Sequence, residues 1–150
     1  MGLKQQIDSD IKNAMLAKKR EELEALRSIK SLILLAETEK GGSEELTPES
    51  EKKLLMKAAK QRKESADIFA QQGRKDLADR ELLQLEVINR YLPKQLSEAE
   101  LRSAVESVIK EVGATGPQDM GKVMGVATRK LAGQADGKVI SELVKKLLAT

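Results

Sequence analysis

The sequence predicts an all-α protein, with an N-terminal four-helix unit followed by a small C-terminal three-helix domain. Three observations carry that prediction. Aromatic residues are almost absent, Phe69 and Tyr91 being the only two, so the core must be built from Leu, Ile, Val, Met and Ala, which favours helix packing. Ala, Glu, Lys, Leu and Arg are abundant, as in helical proteins. Apolar residues recur three or four positions apart along most of the chain, the spacing of a helix stripe, and no stretch alternates as a strand would.

Leu3, Ile7, Ile11 and Met15 form the stripe of a first helix over about 3–17. Leu23, Leu26, Ile29, Ile33 and Ala36 mark a second over about 21–40, which Gly41-Gly42-Ser43 should end. Thr47 then fits an N-cap and Pro48 the first position of a third helix, with Glu49 and Glu51 favoured by its positive N-terminus. That helix can run to Gln72, with Gly73 as its C-terminal cap. A fourth spans about 75–92, carries Leu77, Leu85, Ile88 and Leu92 on one face, and stops at Leu92-Pro93 because the residue before proline avoids helical geometry.

Pro93 to Leu96 reads as a hinge, dividing a helical domain at 1–95 from a second at 97–150. Ser97 with Glu100 three residues on is a capping box. It opens a fifth helix with Leu101, Val105, Val108 and Val112 inward, closed by Gly113. Gly116-Pro117 leads into a sixth, ended by Gly133. Asp136 can cap a seventh, with Val139, Ile140, Leu143, Val144 and Leu147 inward. The second domain is small enough to be marginal alone.

The sixth helix is the most informative stretch. Met120, Val123, Met124, Ala127 and Leu131 share one side at 100° per residue. Gly121 and Gly125 fall on the other, beside Lys122 and Arg129. An interior glycine weakens a helix by about 1 kcal/mol relative to alanine, so the pair needs a reason. Two reasons are open. Small residues at i and i+4 let another helix approach closely. Alternatively, bare backbone between two cations is a platform for a nucleic-acid backbone, with Lys122, Arg129 and, at the start of the next helix, Lys138 contacting phosphates. A phosphate-binding P-loop is excluded, since its glycine spacing and its preceding strand are both missing.

The third helix carries Lys52, Lys53, Lys57, Lys60 and Lys63 on its polar side. They read as a solvated face or as a second phosphate-contacting stripe, with Lys53, Lys57 and Lys60 as the candidates. Arg62 instead projects toward the side of Leu54, Ala58, Ala66 and Phe69. A cation there must pair with a carboxylate such as Glu81 or Glu86, snorkel, or meet a ligand.

Composition removes much chemistry. Neither cysteine nor histidine occurs in the 150 residues, so there is no thiol nucleophile, no imidazole base and no His/Cys zinc site. Ser65, near Gln61 and Arg62, shows no amidase arrangement around it. No catalytic residue, metal site or cofactor is predicted. The N-terminus has no signal-peptide pattern and no stretch is apolar enough to cross a membrane, so a cytoplasmic location is expected. A net charge of +3 with the signs well mixed permits nucleic-acid binding without demanding it. The scarcity of aromatics counts against reading single strands by base stacking.

Lys60-Gln61-Arg62-Lys63-Glu64-Ser65, Phe69, Gly73-Arg74, Asp76-Leu77 and Tyr91-Leu92-Pro93 resemble the YqeY family of small bacterial proteins. So do Asp119 to Gly125 and Gly133-Gln134-Ala135-Asp136-Gly137. The resemblance covers essentially the whole chain. Residues 97–150 also resemble the C-terminal tail domain of the B subunit of glutamine-dependent aspartyl/glutamyl-tRNA amidotransferase, a domain that helps hold the tRNA. The resemblance implies two helical domains with a tRNA-associated tail. It also implies an association with carbon–nitrogen ligases that use glutamine as amide donor. The tail has neither the ATP-using nor the ammonia-producing site of that enzyme. The expectation is therefore a tRNA-binding accessory protein rather than a stand-alone enzyme. The alternative is an adaptor that docks a partner protein's helix on Gly121 and Gly125.

Overall fold

The computed structural model describes residues 2–39, 41 and 45–149. Lys40, Gly42 and Ser43, at the expected end of the second helix, lie outside the described residues. Within them the chain is all-α: α1 (Leu3–Leu16), α2 (Arg20–Glu39), α3 (Pro48–Gln71), α4 (Lys75–Asn89), α5 (Glu98–Val112), α6 (Met120–Lys130) and α7 (Gly137–Leu148), with a 3-10 turn at Pro117–Asp119. The chain forms two compact units, Met1–Leu92 and Pro93–Thr150.

In the first unit, Ile7, Leu26, Ile29, Ile33, Leu55, Val87, Ile88 and Leu92 form the core. The α1–α2 corner turns where the sequence offers no glycine. Lys18 takes the left-handed conformation, φ +57°, and the Lys19 amide donates to the Ala14 carbonyl at 3.0 Å. Lys4 reaches from α1 to the buried Glu37 of α2, 3.0 Å away. That hydrogen bond raises the Lys4 ammonium above its ordinary range.

Thr47 caps α3 by accepting from the Ser50 amide at 3.1 Å, with Pro48 in the first turn. The expected run of α4 to Leu92 is too long: the helix stops at Asn89. Beyond it the Tyr91 hydroxyl donates to Asp10 of α1, Arg90 donates to Glu22 of α2, and Leu92 is buried. Those side-chain ties hold the last residues in turns. Burial, then the Asp10 bond, pushes the Tyr91 phenol well above its usual pKa.

Arg62 of α3 is held by two neighbouring helices, α2 and α4. Its Nε donates to Gln84 Oε1 at 2.8 Å, its Nη2 donates to Ser28 Oγ at 3.2 Å, and Glu81 Oε2 lies 3.7 Å from Nε. Of the two carboxylates expected to pair with it, Glu81 does so. Among the described residues Glu81 Oε2 has no hydrogen-bond partner, and the guanidinium 3.7 Å away supplies the compensating charge.

In the second unit, Leu101, Val105 and Val108 of α5 pack with Val123 and Ala127 of α6 and with Ile140, Val144 and Leu148 of α7. The Ser97–Glu100 capping box is complete, with both reciprocal bonds formed. Gly113 ends α5 at φ +69°. Asp136 caps α7 by accepting from the Lys138 amide at 3.2 Å. The segment before α5 is tied to the α6–α7 loop, the Leu96 amide donating to the Gln134 carbonyl at 3.0 Å.

Candidate nucleic-acid interface

α6 is positioned by its apolar stripe. Val123, Ala127 and Leu131 are buried, and Met120 and Met124 pack against the same core. This fixes the opposite side outward, and Gly121, Lys122, Gly125 and Arg129 are all exposed. The helix begins with no side-chain cap. Its start is set by the 3-10 turn, where the Thr115 amide donates to Asp119 Oδ2 at 2.9 Å. That bond, aided by the charge of Lys122, holds the Asp119 carboxyl below the usual range.

The chain's own packing gives the glycines no purpose. A Cβ built on Gly121 or on Gly125 meets no atom within 4 Å. Both have ordinary helical backbone, since neither is among the positive-φ glycines. Alanine would fit at either position and would strengthen the helix by about 1 kcal/mol. The Arg129 Nε donates to the Gly125 carbonyl at 3.1 Å, so the guanidinium lies against the glycine turn. Lys122 and Arg129 are seven residues apart, about 10 Å along the helix axis at 1.5 Å per residue.

Lys138 is exposed in the first turn of α7, on a different helix from the other two cations. Lys53, Lys57 and Lys60 are exposed on α3, in the other unit. The candidate residues therefore divide among three helices.

The division of charge within the second unit adds to the picture. Helix α5 carries Glu98, Glu100, Glu106 and Glu111 against Arg102 and Lys110. Helices α6 and α7 together carry Lys122, Arg129, Lys130, Lys138, Lys145 and Lys146 against Glu142 alone. Lys130 pairs with Glu111 of α5. A motif-led reading overlooks Lys130, Lys145 and Lys146, although the count of charges per helix contains them. Among the described residues, no group of three or more acidic side chains is arranged to hold a metal ion, and no helix is long and apolar enough to cross a membrane.

These features define an all-α protein with a cationic, glycine-bearing helix face. A family model described as Yqey-like protein matches residues 4–148, and the chain belongs to the YqeY family. It is similar to a fungal protein of Clavispora lusitaniae named altered inheritance of mitochondria protein 41, mitochondrial. The two are 36% identical over 107 residues, which is 70% of this chain and 61% of that protein. The protein of the same name from Pyrenophora tritici-repentis is 27% identical over 145 residues, 95% of this chain and 78% of the relative. This chain thus spans less than two thirds of the first relative's length. A shorter stretch, 55 residues and 34% of the chain, is 42% identical to the E-type component of the glutamyl-tRNA(Gln) amidotransferase of Thermococcus sibiricus, covering 9% of that polypeptide. This match supports the link to amidotransferases read from the sequence, through a subunit named E rather than the B subunit.

Proposed function

We propose that this protein is a non-catalytic tRNA-binding accessory factor of the amidotransferase-related kind, acting in the cytoplasm of a bacterial cell. It engages the tRNA backbone through the exposed side of α6. Gly121 and Gly125 admit close approach, and Lys122, Arg129 and Lys138 neutralise phosphates. The observation that carries this reading is the open glycine pair: two helix-weakening residues, unneeded by the fold, beside two exposed cations. The excess of cations on α6 and α7 supports it, as does the short similarity to a component of a tRNA amidotransferase. The mitochondrial relatives carry a different compartment in their names, and fractionation of the native cell tests the location.

Filter-binding titrations with bulk tRNA test the contact. Three neutralised phosphates predict an affinity that falls roughly 20- to 40-fold between 50 and 200 mM salt. Lys122→Ala with Arg129→Ala should weaken binding and flatten that dependence. No binding at low salt, or binding indifferent to the double substitution, removes the proposed site. The same open face also fits a second reading, in which a partner helix packs on Gly121 and Gly125. Gly125→Leu would then disrupt a protein complex and leave tRNA binding intact.

A further inference from the structure

The first unit holds an apolar groove that the tRNA reading leaves unused. It runs between α2 and α3, is lined by Leu32, Leu35, Ala36, Leu54 and Ala58, and has a volume of about 190 Å³. Pockets for small molecules span roughly 300–1,000 Å³, so this one suits single apolar side chains presented by a larger partner. Its apolar lining is open to solvent at Leu35, which is 58% exposed. An apolar patch rimmed by charge is the usual mark of an interaction site.

The rim is polarised. On α3 the exposed Lys53, Lys57 and Lys60 succeed one another at four- and three-residue spacing, along one edge of the helix. Among the described residues, Lys53 and Lys57 form no ion pair. Across the groove the edge on α2 carries an anion, Glu39. A polyanion such as RNA, or an anionic membrane, would gain on the lysine edge and be repelled on the other. The groove also has no aromatic side chain on which a base could stack. A helix with an acidic edge and a neutral or basic edge matches both rims.

We propose that the α2–α3 groove docks an acidic amphipathic helix of a partner protein. Leucine-type side chains at i, i+3 or i+4, and i+7 enter the groove beside Leu35 and Leu54, the helix-in-groove mode of recognition. A Glu/Asp edge lies along Lys53, Lys57 and Lys60. This docking is independent of the α6 face and survives if the tRNA reading fails.

The test pans the whole chain against a displayed library of helical peptides. Apolar positions are fixed at that spacing and the flanking positions are randomised among Glu, Lys, Gln and Ser. The expected result is enrichment of Glu along one edge only. The enriched peptide should lose binding to Leu35→Asp and bind about tenfold more weakly to Lys53→Glu with Lys57→Glu, both variants keeping the wild-type circular dichroism. Bulk tRNA and phosphatidylserine vesicles serve as the other probes. The proposal is overturned by no enrichment over the Leu35→Asp variant, or by enrichment of Lys. It is equally overturned if the lysine reversal abolishes tRNA or vesicle binding while Leu35→Asp leaves that binding intact.

Discussion

Helices α5 and α6 lie in the same unit and share one core, yet they are built to opposite rules. The ends of α5 favour the helix: a complete capping box at one end, a left-handed glycine at the other, and Glu98 and Glu100 in the positive first turn. Helix α6 begins with no side-chain cap and holds two interior glycines. It is retained by its buried stripe of Val123, Ala127 and Leu131 rather than by its own propensity. The contrast teaches that α6 is not optimised for stability on its exposed side. Local departures from good helix chemistry concentrate where function makes a demand.

The comparison breaks most severely at the buried stripe. Val123→Asp places a carboxylate at a fully buried position. It should destabilise the second unit by about 4 kcal/mol or more. Lys122→Asp, next in sequence but exposed, should stay within about 0.5 kcal/mol. Chemical denaturation followed by circular dichroism reads both. If the two substitutions cost the same, the inward and outward sides of α6 have been assigned wrongly.

At the helix ends, Gly113→Ala forces a side chain into the left-handed region and should lower stability by about 1–2 kcal/mol. Ser97→Ala removes half of the capping box and should lower it by about 1 kcal/mol. Thermal melts of the two variants sharpen the claim that α5 depends on its caps.

The smallest effect is electrostatic. Backbone and side-chain hydrogen bonds at Ser97, then Lys94, hold the Glu100 carboxyl below its ordinary range. Its stabilisation is present above the unfolded glutamate pKa and is lost as pH falls through the lower folded value. Glu51 in the first unit behaves oppositely, because burial and then the neighbouring Glu45 and Glu37 raise its pKa. Its contribution improves as pH falls through the raised value. Acid titration of stability should therefore steepen in Glu51→Gln, which removes the compensating group, and flatten in Glu100→Gln.

Much of the fold was legible because it is encoded locally. Thr47 with Pro48, Ser97 with Glu100, and Asp136 announce helix starts through side chains that satisfy nearby amides, and the structure forms each of these caps. The inward stripe of α6 was equally readable from its period. The α1–α2 corner was not, because Lys18 adopts a left-handed backbone without the glycine that signals one. The early end of α4 depends on Asp10 and Glu22, far away in sequence. No local pattern reports such partners. For the candidate site, the exposure of Gly121, Lys122, Gly125 and Arg129 followed from the wheel. The empty space around the glycines, and the hold of Arg129 on the Gly125 carbonyl, depend on packing that no local pattern reports.

The central claim is that Gly121 and Gly125 serve a contact outside the chain. The most direct measurement takes the double variant Gly121→Ala with Gly125→Ala and records its Tm alongside its affinity for bulk tRNA. The Tm should rise by roughly 4–8 °C, from about 1 kcal/mol at each site, while binding weakens. A raised Tm with unchanged tRNA affinity would contradict it.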